Sequence, residues 1–243
     1  MSTTEAFDRG SRRYDLLVSL NPGYHQHLRS AAAELARRIA GRRGDRVGWR
    51  LLDLACGSGA STRALVEAAP AGSRIEGLDA SNGMLERARA KRWPDGVSFT
   101  QAVSGELAVE RFAPGSHDGI FSAYLFRNVS EDRRDLAVRE AYDLLAPGGW
   151  LVVQEYSVRG RWRAEVSWTA VCWLVIIPLA MLLDRNRSLY AYLWRSVLDF
   201  DTTAQFMDRL TRAGFTDVAT RTVPGWQRGI LHTFVARRPE ESA

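Results

Sequence analysis

Apolar positions along the chain change period in a regular alternation. Over residues 25–41 the apolar side chains Leu28, Ala31, Ala32, Leu35 and Ile39 recur at helical spacing, which predicts an amphipathic helix. The run WRLLDLA, centred on Leu51 and Leu52, is short and continuous, the pattern of a parallel strand buried on both faces. Helical spacing returns over 61–69. RIEGLDA then predicts a second strand, 84–91 a helix, VSFTQAV a third strand and HDGIFSAYL a fourth. Ser130 is placed to cap a helix running to Leu145, with Glu131 and Asp132 in its first turn, where negative charge is favoured. APGG closes that helix, and WLVVQEYS predicts a fifth strand. Strands alternating with helices in this way predict an α/β fold with a mostly parallel sheet and right-handed crossovers.

The alternation breaks after Ser157. An uncharged segment, VSWTAVCWLVIIPLAMLL at 166–183, is followed by a helix over 188–198, a helix over 203–213 closed by Gly214, and strands near 218–223 and 231–236. An antiparallel C-terminal edge is expected, with a helical insertion over 158–200 above the carboxyl ends of the strands. The segment 166–183 reaches the minimum length of a membrane span. Ser167, Thr169 and Pro178 argue against one, and a soluble helix, buried or serving as an apolar lid, is the expected reading beside an interfacial helix.

Composition narrows the class. With 243 residues and 46% hydrophobic content the chain supports one large core, hence a single domain. Its parts are expected to be an N-terminal helical cap (1–48), a core (49–157), the lid (158–200) and a C-terminal helix with strands (201–238). The net charge of +5 is carried almost wholly by arginine, Lys91 being the sole lysine, and acidic residues are interspersed, so nucleic acid is not an expected partner. Cys56 and Cys172 stand far apart in no ligand spacing, and none of the four histidines has a plausible set of co-ligands, so no metal site is expected. The N-terminus lacks an apolar signal region, and a cytoplasmic setting fits.

The stretch DLACGSGAST, Asp53 to Thr62, is where chemistry is most readable. Gly57 and Gly59 let the backbone turn tightly and approach a ligand, and the first strand-to-helix turn of such a sheet lies at its ligand-binding crevice. A dinucleotide fingerprint needs a third glycine, which is missing, and a purely structural bend is the competing reading. Asp79 ends the second strand about 20 residues beyond the glycines, where a carboxylate accepts ribose hydroxyls.

DLACGSGAS, GLDASNGML and LLAPGGWLVVQEYS, in that order and spacing, resemble the motifs of class I S-adenosylmethionine-dependent methyltransferases. The resemblance implies a Rossmann-like fold of that class and S-adenosylmethionine as cofactor. It implies that Asp53, Ala55, Gly57 and Gly59 line the methionine side, that Asp79 binds the ribose, and that Met84 packs on adenine, although Met84 reads equally as plain core. Val103 stands where the family often has an acidic or amide residue, which leaves Ser104 or backbone groups to meet the adenine amine.

AFDRGSRRYDLL, YLFRNVSEDRRDLAVREAYDLLAPGG, VVQEYS and SLYAYLWRSV are similar to the C-methyltransferases of ubiquinone and menaquinone biosynthesis. That resemblance implies methylation of a ring carbon on a hydrophobic aromatic acceptor such as demethylmenaquinol. Arg127 would orient a water or stabilise phenolate charge, since an arginine is no simple base at neutral pH. Tyr14 would close over the methionine end and Tyr192 would line the acceptor face. The competing reading of Arg127 is a surface ion pair with Glu131 or Asp132. The lid segment and the C-terminal PGWQRGILHTF depart from the family pattern, so an O- or N-methyltransferase of secondary metabolism and a non-catalytic scaffold remain as rivals. Peripheral membrane contact through 166–183 and a homodimer stay open.

Overall fold

The apolar runs and amphipathic stretches fold into one sheet with helices on both faces. The computed structural model describes residues 23–43, 48–183 and 187–240. In chain order the elements are α1 (Tyr24–Arg43), β1 (Arg50–Leu54), α2 (Ala60–Ala68), β2 (Arg74–Asp79), α3 (Asn82–Arg89), β3 (Val97–Gln101), β4 (His117–Ala123), α4 (Glu131–Leu144) and β5 (Leu145–Tyr156). There follow α5 (Trp162–Val171), a π-helical turn (Cys172–Ile176), α6 (Ile177–Leu183), α7 (Arg187–Leu198), α8 (Thr203–Arg212), β6 (Thr216–Thr222) and β7 (Leu231–Arg237). The strand order is β3-β2-β1-β4-β5-β7-β6; the first five strands are parallel, and β7 runs antiparallel to both β5 and β6.

Every residue of β4 is buried, which is why its sequence shows no alternation. On one face α1 and α2 pack Leu28, Leu35, Ile39 and Leu65 against Leu51, Phe121 and Val152. On the other, α4 and α8 pack Val138, Leu144, Phe206 and Leu210 against Leu52, Ile120 and Phe234. Phe206 anchors this second layer, with ring centroids 5.0 Å from Phe126, 5.4 Å from Phe200 and 4.9 Å from Phe234.

Two local expectations are corrected. APGG follows the end of α4, but the fifth strand does not wait for Trp150: β5 begins at Leu145, with a register shift against β4. The end of the chain supplies the hydrogen bonds, Gly148 N–H donating to the Arg238 carbonyl and Arg238 N–H to that of Gly149, each at 2.9 Å. Ser130 sits at the N-cap of α4, but its hydroxyl bonds the Asp132 carboxylate instead of a backbone N–H.

The segment expected as a lid is a broken helix, and its Trp168 meets Tyr156 at the end of β5. Pro178 cannot donate to Leu174, and its ring crowds that carbonyl, so the turn before it widens until the Ile177 N–H reaches the Cys172 carbonyl five residues back. Trp168, Cys172 and Ile177 are buried, whereas Val166, Trp173, Leu174 and Val175 are exposed. Among the described residues no helix is long and apolar enough to cross a membrane.

Between α7 and α8, Asp201 ties α4 to α8. Buried at 3% exposure, it accepts from Arg209 Nε at 2.6 Å and from Arg134 Nη1 at 3.1 Å. Arg134, itself buried, donates through Nε to the carbonyls of Phe126 (3.1 Å) and Val129 (3.0 Å), bracketing the loop that carries Arg127. Removing one partner of such a buried pair leaves an uncompensated charge and costs about 3–5 kcal/mol. Asp201→Ala is therefore expected to lower the unfolding free energy by that amount in urea titration, and a loss below about 1 kcal/mol contradicts the assignment.

Candidate active site

Strand order reverses between β1 and β4, so the connections leave these two strands towards opposite sides and a crevice opens above their carboxyl ends. A cavity of about 560 Å³ occupies it, within the range of small-molecule sites. Ala55 and Gly57 enter from the turn after β1, Asp79 from the end of β2, Met84 from α3, Ser104 from beyond β3 and Arg127 from beyond β4.

The glycine bend divides its labour. A Cβ on Gly57, at φ 53°, would find nothing within 4 Å, so its backbone is presented openly to the cavity. A Cβ on Gly59 would lie 2.7 Å from the Trp93 ring, so this glycine serves close packing and does not line the cavity. Ala55 lines the cavity at φ 61°, a left-handed conformation rarely held by a residue with a side chain.

The two aspartates also separate. Asp79 accepts from the backbone N–H groups of Gly57 and Ser81, each at 2.8 Å, which ties the ends of β1 and β2 together and fixes a carboxylate at the cavity wall. Ser81 in turn caps α3 by accepting the Met84 N–H at 3.2 Å. Asp53 is fully buried beneath the bend and does not line the cavity; its Oδ2 accepts the hydroxyls of Ser61 at 2.7 Å and Thr62 at 2.6 Å, holding the first turn of α2. Burial pushes its carboxyl up to about 7 against the pull of those hydroxyls, with the Asp79 charge adding to the rise. Met84 is 3% exposed yet borders the cavity, as do Ser104 and the half-exposed Val103.

Arg127 is not a surface residue paired with Glu131 or Asp132. It is buried, donating from Nη1 to Glu155 Oε1 at 3.0 Å and to the Tyr124 carbonyl at 2.8 Å. Glu155 is fully buried at the end of β5, and desolvation raises its carboxyl while the Arg127 charge and the N–H groups of Tyr156 and Arg127 draw it down. Asn128 donates to the same Tyr124 carbonyl at 2.8 Å and accepts from the Tyr192 hydroxyl of α7 at 3.3 Å. Tyr192 thus reaches the cavity wall through Asn128, and Tyr14 lies outside the described residues.

An aromatic column completes the wall, and the pattern of apolar positions gave no sign of it. Tyr24 stacks on Tyr124 at 5.6 Å, Tyr124 on Tyr156 at 5.2 Å, and Trp168 of the lid lies 5.0 Å beyond. Tyr124 and Tyr24 both border the cavity, and the Arg127 guanidinium lies 5.4 Å from the Tyr124 ring centre. The available signal was positional, since Tyr124 and Tyr156 both follow buried strand runs at the carboxyl edge.

The model of the ubiE/COQ5 methyltransferase family matches residues 2–234. The chain belongs to that family. A demethylmenaquinone methyltransferase of Beutenbergia cavernae is 32% identical over 233 residues, covering 96% of this chain and 89% of the relative. A ubiquinone/menaquinone biosynthesis C-methyltransferase of Methylobacterium nodulans is 29% identical over 222 residues, covering 91% and 85%. Among solved structures, phosphoethanolamine N-methyltransferase 2 of Haemonchus contortus with S-adenosyl-L-methionine is similar in fold, with a TM-score of 0.65 at 18% identity over 98% of this chain and 59% of that one. This family member is a methyltransferase.

The buried Asp53 carries a pH signature. Its folded-state value lies above the unfolded one, so its stabilising contribution is present below about pH 4 and is lost as pH rises through about 7. Asp53→Asn is expected to flatten the fall in thermal stability between about pH 4 and 7, an effect of order a few kcal/mol. Parallel melting profiles of variant and wild type would contradict it.

Proposed function

We propose that this enzyme methylates a ring carbon of a hydrophobic aromatic acceptor, with demethylmenaquinol as the first choice, working from the cytoplasm on a molecule whose tail lies in the membrane. The observation that carries the reading is that Arg127 and Asn128 border the same cavity as Gly57, Asp79 and Met84. The names of the relatives that match across nearly the whole chain support the same acceptor class.

The cofactor fits the residues present. The open backbone edge at Gly57 suits the amino-acid portion, and the Asp79 carboxylate, held at the cavity wall by the Gly57 and Ser81 N–H groups, is of the type that accepts ribose hydroxyls. Met84 and Val103 offer apolar surface to adenine, with Ser104 beside them. When bound, S-adenosylmethionine supplies a methyl group made electrophilic by a positively charged sulfur.

The chain's own task is alignment and charge control. Transfer is an in-line displacement, so holding acceptor carbon and methyl group in a near-attack geometry supplies much of the acceleration. Arg127, locked by Glu155 and the Tyr124 carbonyl, holds a fixed cation at the wall where an acceptor phenol oxygen would lie. A fixed donor in a dry site favours the phenolate, which raises electron density on the neighbouring ring carbon. With the cofactor bound, that carbon would take the methyl group while the sulfur keeps the electron pair of the broken bond, and the ring hydrogen would then pass to water as a proton to restore aromaticity. The buried tyrosines contribute neutral surface: burial holds the Tyr124 phenol well above its ordinary value, so it stays protonated at neutral pH.

Turnover of demethylmenaquinol, a phenol and an amine by the purified enzyme, followed by mass spectrometry, tests the acceptor. A methylated quinol is expected, and O- or N-methyl products without quinol turnover would overturn the reading. Arg127→Gln is expected to lower kcat by about 10²–10³-fold, the loss associated with one charge-stabilising donor, while calorimetric affinity for S-adenosylhomocysteine stays within about twofold. Asp79→Ala should do the reverse and weaken that affinity by at least tenfold, since hydrogen bonds to a charged group are worth about 1.5–3 kcal/mol; unchanged binding would remove Asp79 from the ribose site.

A further inference from the structure

The lid leaves an apolar stripe uncovered. Trp162, Val166 and Leu174 recur at multiples of four along the broken helix, at 69%, 60% and 76% exposure, and the π-helical turn adds Val175 at 55%. The opposite edge of the same helix is anchored on the enzyme through Trp168, which meets Tyr156 of the aromatic column.

Beside the N-terminal end of this stripe lies a groove of about 400 Å³ between α5 and the loop preceding β7. Trp162 and Trp226 flank it, and Arg161, Arg163 and Arg228 line it; none of its lining residues is acidic. All three arginines are exposed, with Arg159 exposed just before them. The nearest carboxylate in the helix, Glu165, is engaged by the Gly160 N–H at 2.8 Å. The Arg163 guanidinium lies 5.3 Å from the centre of the Trp162 ring, so cation and indole present together.

We propose that this face is the docking surface for an anionic phospholipid bilayer, the groove receiving a lipid phosphate while the stripe from Val166 to Val175 enters the headgroup and acyl boundary. Charge decides the occupant. Arginine forks match phosphate geometry and are drawn to an anionic leaflet. Indoles settle at the boundary between headgroups and hydrocarbon, where one edge is apolar and the other wet. A helix lying in the interface with one apolar edge outward is the geometry of peripheral attachment, and it needs no spanning segment. A second copy of the chain is disfavoured, because a twofold contact would set the same arginines against each other.

The surface deepens the proposed function, on which it rests for its purpose: an acceptor with a hydrocarbon tail would pass from the bilayer under the lid to the cavity wall at Asn128, where Tyr192 of α7 already touches. Its test needs no acceptor. Sedimentation with quinol-free vesicles of phosphatidylcholine, with and without phosphatidylglycerol, is expected to show binding only where phosphatidylglycerol is present, weakened by added salt. Changing Arg161, Arg163 and Arg228 together to glutamate should reduce vesicle affinity by about a hundredfold, and Leu174→Glu by at least tenfold. Both variants should keep wild-type affinity for S-adenosylhomocysteine, which shows that they fold. Binding insensitive to phosphatidylglycerol, retention of affinity in the triple variant, or a dimer in light scattering that Leu174→Glu dissolves would overturn the proposal. A failed quinol assay with intact vesicle binding would count against the acceptor alone.

Discussion

One backbone carbonyl organises the wall of the cavity. Tyr124 follows β4 at φ 61°, a left-handed conformation that a residue with a side chain holds only under constraint, at a cost of about 1–3 kcal/mol. The turn aims its carbonyl at two donors, Arg127 Nη1 and Asn128 Nδ2, each at 2.8 Å, and its ring into the stack with Tyr24 and Tyr156. Ala55, also at φ 61°, follows the neighbouring β1. Two strained residues thus follow the two strands between which the order reverses, and both border the cavity. The surrounding layers hold them there: Glu155 secures Arg127 from β5, and Arg134, fixed by Asp201, secures the carbonyls of Phe126 and Val129 on either side of the Arg127 loop.

The fold was largely legible because its signals are local. A strand buried on both faces reads as a continuous apolar run and a helix on its surface as a periodic one, so β1 to β4 and α1 to α4 stand in the sequence nearly where they stand in space. The bulged start of β5 was not legible, since its partners are Arg238 and His117, far away along the chain. The π-helical turn follows from Pro178, but only once that proline is known to lie inside a helix.

The candidate site was legible in its residue types and less so in their division of labour. Ala55, Gly57, Asp79, Met84, Ser104 and Arg127 do meet at one cavity. Asp53 and Gly59 belong to the same motif but act one layer behind it, on Ser61, Thr62 and Trp93, because Asp53 still lies within β1, short of its carboxyl end, and Gly59 already opens α2, so only the turn between them faces the cavity. Arg127 and Glu155 are 28 positions apart, so the ion pair that buries the arginine exists only through the pairing of β4 with β5. The aromatic column joins α1, the ends of β4 and β5, and the lid, four separate segments with no shared motif.

The central claim is that cofactor and acceptor share one cavity with Arg127 at the acceptor's oxygen. A crystal structure with S-adenosylhomocysteine and a short-tailed demethylmenaquinol tests it most directly. The account places a quinol oxygen within hydrogen-bonding distance of Arg127 or Asn128 and an unsubstituted ring carbon facing the cofactor sulfur. A ring bound away from these residues, or one presenting oxygen to the sulfur, would contradict it.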